Sequence, residues 1–264
     1  MIRAGTLIVI LAIVAALAGP LLWPYDPSAQ ELARRLEPPG LAHPLGLDEL
    51  GRDILARLLQ GARISLLVGI AVVSVSSTVG MLFGSIAGYF GGRIDDVISR
   101  VIDVLMAFPG ILLAIALVAV LGPSLVNVVL ALSIIGWVGY ARLVRGQALR
   151  AREFEFVQAA RASGASAARI VLRHVLPTAI PAVVVQATLG MAGAIIAEAA
   201  LSFLGLGVQP PTPSWGTMLD AGRAHLFDAP HLTIFPGLAI AALVLGFNFL
   251  GDGLRDRVDP KLVR

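Results

Sequence analysis

Few side chains in this sequence have the types and spacing that catalysis requires. A nucleotide-binding P-loop ends in a lysine that holds the phosphates, and the only lysine here is Lys261, near the carboxyl end. The chain contains no cysteine, which excludes thiolate chemistry and disulfides. It also lacks the Gly-x-Ser-x-Gly pattern of serine hydrolases. We therefore predict no catalytic residue and no cofactor bound by this chain.

Metal binding is also disfavoured by the spacing of the histidines. The sequence has no His-Glu-x-x-His element, and no histidine is spaced from a carboxylate as a zinc site requires. We predict no metal site. The histidines concerned are His43, His174, His225 and His231.

Two carboxylates stand apart because they fall in or beside apolar runs. Glu198 is the only carboxylate well inside such a run, roughly 24 Å along a helix that would begin at Ala182. Asp103 begins another run and is expected near the membrane interface, close to Arg100. Ionisable groups within a membrane are candidates for a translocation path. A structural hydrogen bond to a neighbouring helix or loop is the alternative, and we favour it for Glu198.

The composition indicates which elements must position these groups. Apolar residues make up 57% of the chain, charged residues 14%, and the mean hydropathy is +0.87. This balance is far from that of soluble proteins, and the uncharged runs are long enough to cross a bilayer. We predict an all-α polytopic membrane protein with six transmembrane helices. The predicted spans are residues 6–22, 64–92, the two halves of 104–141 on either side of Gly122-Pro123-Ser124, 182–206 and 232–251.

These spans divide the chain into four parts. Residues 1–23 form an amino-terminal span, which also resembles a secretory signal but which we interpret as uncleaved. Residues 24–63 form a polar loop that ends in a short interfacial helix, Ile54 to Gln60. Residues 64–252 form a five-helix core that includes the loop 148–181, with a kink expected at Pro109. Residues 253–264 form a tail.

The second span carries glycines at every fourth position, at Gly80, Gly84, Gly88 and Gly92. This spacing places them along one face of a helix, where they allow another helix to approach closely. The sequence leaves open whether that helix belongs to the same subunit or to a second one.

A basic, alanine-rich segment, residues 153–181, separates the fourth and fifth spans. Its first half should be helical up to Ser163 and end at Gly164, which can adopt the left-handed conformation of a helix stop. A second short helix should begin after Ser166 as N-cap and end before Pro177. The sequence therefore predicts a helical hairpin that projects into water.

This hairpin resembles the EAA loop of ABC-importer permeases, whose pattern is E-A-A, three residues, G, nine residues, I-x-L-P. Gln158 replaces the glutamate and His174 replaces the isoleucine, while the spacing is kept. In that family the loop forms a coupling helix that docks in a groove of a separate ATPase subunit. A solvated hairpin without a partner is the alternative interpretation. The residues that correspond to the coupling motif are Gln158, Ala159, Ala160, Gly164, Leu176 and Pro177.

Other segments resemble the dipeptide/oligopeptide/nickel class of these permeases. Residues 43–66 are similar to its HPLGTDxxGRDxxxRxxxGxRxSL segment, with Leu47 in place of threonine, so a catalytic role for the carboxylates there has little support. Residues 198–207 match EAxLSFLGLG, residues 213–219 match P-x-W-G-x-M-L, and residues 251–260 are similar to GDxLRDxLDP. Ser214 should cap a short helix, and Trp215 suits a membrane interface.

The resemblance implies a permease with the type I fold of ABC importers. It implies a second permease, generally a different chain, two ATPase subunits that bind ATP and Mg²⁺, and an extracytoplasmic solute-binding protein. Transport would proceed by alternating access, with peptides favoured over nickel as substrate. The alternatives are a secondary transporter or channel without an ATPase, and an assembly scaffold.

The distribution of basic residues predicts the orientation in a bacterial inner membrane. Fourteen of the 20 basic residues fall in the segments that share a side with the two termini and residues 153–181. The positive-inside rule places that side in the cytoplasm. Because these residues are dispersed over loops, we predict no nucleic-acid partner.

Overall fold

The computed structural model describes residues 1–258, and most of these are helical. Among them the only β-type pairing is an isolated bridge between Leu47 and Asp53. The helices are α1 (Ile2–Leu22), α2 (Ile54–Phe90), α3 (Gly92–Met106), α4 (Gly110–Leu121), α5 (Leu125–Ala151), α6 (Glu155–Ala162), α7 (Ala167–Ile170), α8 (Leu176–Phe203), α9 (Trp215–Gly222) and α10 (His231–Val258).

Five of the six predicted spans are present as long helices, and the third is broken in two. Five helical stretches are long and apolar enough to cross a membrane singly, and a sixth crossing results if α3 and α4 count as one broken span. The predicted all-α membrane architecture is therefore confirmed. The helices that cross singly are α1, α2, α5, the stretch that ends in α8, and α10.

The second span begins ten residues earlier than predicted. The prediction of a separate interfacial helix from Ile54 to Gln60 is therefore wrong. α2 runs without interruption for 37 residues from Ile54. Asp53 caps it by accepting a hydrogen bond from the Ala56 amide at 2.7 Å. No proline interrupts the junction, so the polar first turns and the apolar span form one helix.

The end of α2 also differs from the prediction. The helix stops at Phe90, and Gly91 and Gly92 both have positive φ angles, +65° and +56°. Gly92 therefore does not share a face of α2 with Gly80, Gly84 and Gly88, as the spacing had predicted.

Arg63 of α2 explains how α1 accommodates a proline. Pro20 has no N–H, so the carbonyl of Ala16, four residues earlier, lacks its donor within the helix. The Arg63 guanidinium donates to that carbonyl oxygen at 2.5 Å and to the Leu17 oxygen at 2.9 Å. The hydrogen-bond defect in α1 therefore becomes a link to α2.

The third span bends far more than a proline kink. α3 and α4 meet at 86° across the break that contains Pro109. The residue before a proline avoids helical conformation and the proline itself donates no hydrogen bond, so the chain leaves the helix here. α4 has 12 residues, about 18 Å, and cannot cross a hydrocarbon core of about 30 Å alone.

The helix that follows Ser166 does not stop before Pro177, as the sequence had indicated. Val171–Val175 form a π-helical turn, and α8 continues directly from Leu176. Pro177 falls in the first turn of α8, where a missing N–H costs little. The wider π turn shifts the hydrogen-bond register before the proline. The helix therefore continues through Pro177, where the sequence had indicated a break.

Three glycines of α2 lie against α5, the helix with which α2 makes its most extensive contact. A Cβ on Gly80 would lie 2.8 Å from the Trp137 carbonyl oxygen, and one on Gly88 would lie 2.6 Å from the Ala148 Cβ. Gly84, between them, lies against the Ala141 backbone. The close approach that the spacing predicted is therefore made within this subunit.

The last span also extends beyond its predicted end at Gly251. α10 reaches Val258, so the first half of the predicted tail is helical. Asp259 and Pro260 of the terminal segment, and Lys261, lie outside the described residues.

Candidate functional site

The predicted hairpin is present, and Gly164 forms its turn. α6 ends at Ala162, and Gly164 has a φ of +76°. The amide of Ala165 donates to the Ala160 carbonyl at 3.1 Å, which closes the end of α6. The Ser166 hydroxyl accepts from the Arg169 amide at 3.4 Å and caps α7, as predicted.

The inner face of the hairpin is packed on the ends of α2 and α5. Ala160 and Leu176 lie partly buried against this cluster, and the Arg161 guanidinium lies over the Tyr89 ring, 5.5 Å from its centroid. A force applied to the hairpin therefore acts directly on two membrane helices. The buried members of the cluster are Tyr89, Ala148, Ala151, Val157, Ile170, Val171 and Val175.

The outer face of the hairpin presents apolar side chains that sequence reasoning missed. Phe154 and Phe156 are 45% and 49% exposed, with ring centroids 5.6 Å apart, and Leu172 is 64% exposed. Gln158 and Ala159 are exposed as well. The sequence did contain a signal for this surface: two aromatic residues lie close together in a basic segment that was predicted to face water. Exposed aromatic side chains in such a segment indicate a contact with a partner.

The residues matched to the coupling motif therefore do not share one surface. Gln158, Ala159 and Gly164 are exposed, whereas Ala160 and Leu176 help to hold the hairpin on the bundle. Pro177 is exposed in the first turn of α8. The spacing located the hairpin correctly but did not separate its two faces.

Glu198 is fully buried at the junction of three helices. Its Oε1 accepts a hydrogen bond from Ser202 Oγ of α8 at 2.7 Å, and its Oε2 accepts from Ser65 Oγ of α2 at 3.3 Å. The hydroxyl of Ser214, the N-cap of α9, lies beside the same carboxylate. One side chain thus contacts α2, α8 and the start of α9.

Trp215, for which we predicted a membrane interface, packs inside the protein. It is buried, and its Nε1 donates to the Leu58 carbonyl of α2 at 2.9 Å. The predicted cap of α9 is confirmed: Ser214 and Thr217 form a capping box. Gly216 lies so close to α8 that a Cβ would be 2.7 Å from the Ser202 Cβ. α9 is therefore seated on the carboxyl-terminal end of α8.

We expect replacement of Glu198 by leucine to destabilise the protein by about 3 kcal/mol. The change leaves the surrounding serine hydroxyls buried without an acceptor, and each such loss costs about 1–3 kcal/mol. Glu198→Gln keeps an acceptor and should retain most of the stability. The midpoint of thermal unfolding in detergent measures both effects.

Uptake by the glutamine variant separates the two roles considered for Glu198. If the side chain is structural, Glu198→Gln keeps both stability and transport. A variant that stays stable but loses transport would contradict the structural role and place the charge in the translocation path.

The polar loop before α2 is held by ion pairs, which accounts for its charged residues without catalysis. Asp48 pairs with Arg52 at 2.7 Å and with Arg57 at 3.3 Å. Asp53 pairs with His43 at 2.8 Å and accepts from the Trp23 indole at 3.0 Å. These contacts join the loop to the beginning of α2.

Nearer the loop surface, the Arg34 guanidinium donates two hydrogen bonds to Glu37, at 2.6 and 2.8 Å. These bonds lower the pKa of the Glu37 carboxyl. Glu37 therefore remains ionised to more acidic pH than an isolated glutamate.

Asp103 is exposed and lines a cavity of about 520 Å³ together with Arg142 and Arg145 of α5. In the described part of the chain it forms no ion pair with Arg100. Arg145 is paired instead with Asp95 of α3, at 2.5 and 2.7 Å. Residues 1–258 contain no group of three or more acidic or histidine side chains placed to hold a metal ion.

Comparison with protein families places these features in a known context. Residues 80–264 match the family model described as the binding-protein-dependent transport system inner membrane component. Residues 1–39 match the N-terminal transmembrane domain of oligopeptide transport permease C. Together the two matches leave out residues 40–79, which contain the loop before α2 and most of α2 itself.

Two permeases are similar to this chain over nearly its whole length. A dipeptide transport system permease from Alkalihalophilus pseudofirmus is 46% identical over 258 residues, which cover 98% of this chain and 85% of that protein. A glutathione transport system permease from Pectobacterium atrosepticum is 48% identical over 260 residues, covering 98% and 86%.

The fold is also that of a solved transporter. The chain superposes on a chain of the methionine ABC transporter in an inward-facing conformation with a TM-score of 0.62 and 19% identity, covering 77% of this chain and 97% of that one. The chain belongs to the family of binding-protein-dependent transport system inner membrane components and is a permease subunit of an ABC importer.

Proposed function

We propose that this permease imports peptides, which an extracytoplasmic binding protein delivers and two ATPase subunits drive across the membrane. The observation that carries the substrate class is the similarity, over 98% of the chain, to permeases for dipeptides and for glutathione, itself a small peptide. A second permease, a different chain, completes the path.

The hairpin that contains α6 and α7 is the part that engages the ATPases. Its outer face offers Phe154, Phe156 and Leu172, which need a partner to leave water. Its inner face is fixed to α2 and α5 through Val157 and Ile170. Closure of the ATPase pair would then move the hairpin and these helices together, which is what alternating access requires.

This role requires the hairpin to be cytoplasmic, together with both termini. The excess of arginine on that side supports this orientation. α9 and the loop before α2 then lie on the extracytoplasmic side of the membrane, where the binding protein docks.

Isolation of the chain from its native membrane in a mild detergent tests the assembly, with mass spectrometry of every stoichiometric partner. We expect an ATPase, a second permease and a binding protein. The purified complex in vesicles should take up dipeptides only with ATP. A chain recovered alone, or as a homodimer that transports without ATP, would indicate a secondary transporter instead.

A further inference from the structure

α3 has an apolar face that residues 1–258 leave largely uncovered. Four aliphatic side chains form this face, which we call the α3 stripe, and each of them is between 46% and 62% exposed. Their spacing of three or four residues places them on one side of the helix. The members of the stripe are Ile94, Val97, Val101 and Val104.

The other sides of α3 are packed on the protein or charged. Ile102 is buried in one cluster with Val138 and Ala141 of α5. Four exposed charged residues each precede a member of the stripe by one position, and successive residues of a helix are about 100° apart. An apolar side, a charged side and a protein-facing side are typical of an amphipathic helix at a membrane interface. The charged residues are Arg93, Asp96, Arg100 and Asp103.

α3 lies across the membrane helices and not in line with them. α4 runs along α5, because a Cβ on Gly110 would lie 3.3 Å from Ile135 Cγ2 and Val118 shares a buried cluster with Val128. α3 meets α4 at 86°. A helix nearly perpendicular to the spans lies in the plane of the membrane.

The contact with α5 gives the depth of α3 in the bilayer. Val138 and Ala141 lie about 20–24 Å along α5 from its first residue, Leu125, which follows the turn between α4 and α5. If that turn lies at one boundary of a hydrocarbon core about 30 Å thick, α3 lies about 6–10 Å inside the opposite boundary. Interfacial helices are buried to a similar depth, about 5–10 Å.

The cavity beside Asp103 shows which side of α3 faces the water. Ser99 and Asp103 line this cavity together with Arg142 and Arg145. Both arginines follow Ala141 on α5 and are therefore nearer to the hairpin than the α3 contact is. Ser99 lies about 180° around the helix from the centre of the stripe. The stripe therefore points toward the membrane core.

The arginine in this cavity is complementary in charge to a lipid headgroup. Within residues 1–258 the Arg142 side chain is exposed and forms no ion pair, and its guanidinium donates to the Met106 sulfur at 3.1 Å. A basic side chain on the cytoplasmic side of membrane helices attracts the phosphate of a lipid. The surface beneath α3 thus suits headgroups, as the stripe suits acyl chains.

We propose that α3 lies parallel to the membrane in the leaflet on the hairpin side, with the α3 stripe buried among lipid acyl chains. All four members are branched and aliphatic, whereas contacts between membrane helices are enriched in small and polar residues. This composition favours lipid over a second subunit as the occupant. Asp95 binds Arg145 through two hydrogen bonds, at 2.5 and 2.7 Å, and so ties α3 to α5 near the hairpin. α3 thereby anchors this end of α5 in the leaflet.

Spin labels on single cysteines test the proposal, since the chain has no cysteine of its own. The complete transporter is placed in phospholipid vesicles after any reactive cysteine of its other subunits is replaced by serine. Electron paramagnetic resonance then measures collisions of the label with oxygen, which partitions into lipid, and with a nickel chelate, which stays in water. We expect an oxygen-to-nickel ratio at least fivefold higher at each stripe position than at its charged neighbour. The matched pairs are Val97 with Asp96, Val101 with Arg100, and Val104 with Asp103.

Low collision rates with both reagents along the stripe would mean that a second subunit covers it, and would overturn the proposal. Nickel rates as high as those of the charged neighbours would overturn it as well, because the stripe would then face water. Labels at Ile94 and Val104 test the in-plane orientation, since these positions are about 15 Å apart along the helix. We expect their ratios to agree within twofold, whereas a helix that crosses the membrane would give a steady change of more than fivefold between them.

Discussion

Gly164→Asp is expected to abolish ATP-driven uptake while the amount of chain inserted in the membrane stays normal. Gly164 has a φ of +76°, and a Cβ added there meets nothing within 4 Å. Aspartate tolerates this conformation better than most residues, so the strain is about 1 kcal/mol and the hairpin remains folded. The main change is a negative charge on the surface that we propose docks with the ATPase.

Gly205 provides a matched control for this experiment. It has the same φ of +76° and the same open surroundings, but it follows α8 at the opposite end of the bundle. We expect Gly205→Asp to keep the ATPase subunits through purification and Gly164→Asp to lose them. Normal uptake with bound ATPase in the Gly164 variant would refute the coupling role.

The structure also shows which alanine to change. A bulky residue at Ala160 should likewise abolish transport, but Ala160 is half-buried on the inner face, so such a change also disturbs the hairpin itself. Ala159 is exposed beside it. Ala159→Trp therefore tests docking alone and should block uptake with little effect on stability.

Much of this fold follows from local features of the sequence. The uncharged runs located the spans. A run of about twenty apolar residues in lipid has to form a helix, because only a helix satisfies the backbone hydrogen bonds of such a segment by itself. Ser166 and Ser214 capped the helices predicted for them, and Gly164 took the left-handed conformation. In each case the deciding interaction lies within a few residues of the position itself.

The predictions were wrong where contacts with residues distant in the sequence determine the structure. α2 begins early because its polar first turns find partners elsewhere: Arg57 pairs with Asp48, and Arg63 bonds the α1 carbonyl freed by Pro20. Trp215 is buried because its indole reaches α2. No local pattern specifies such contacts.

The candidate site shows the same division. The spacing of the coupling motif located the hairpin, but which face each residue occupies depends on how α6 packs on Tyr89 and Ala148. The serines around Glu198 come from three separate segments, so the sequence identified the carboxylate and not its partners.

Gly84→Leu should destabilise the protein by about 3 kcal/mol, because it forces α2 and α5 apart. A Cβ on Gly84 would overlap the Ala141 carbonyl oxygen and lie 3.0 Å from the Val144 Cβ. The obstacle is backbone, which cannot rotate away as a flexible side chain does. Leucine is a better helix former than glycine by nearly 1 kcal/mol, so any loss measured comes from packing and not from the helix itself.

Gly146→Leu on α5 is the control, since a Cβ there meets nothing within 4 Å. This variant makes the same glycine-to-leucine exchange, but on the face of α5 that points away from α2. We expect the unfolding midpoint of the Gly146→Leu protein in detergent to match or exceed that of the wild type. The Gly84 variant should unfold at a clearly lower temperature and yield less monodisperse protein. Equal midpoints for the two variants would mean that α2 and α5 do not meet at their backbones, and that the glycine face serves a contact with a second subunit instead.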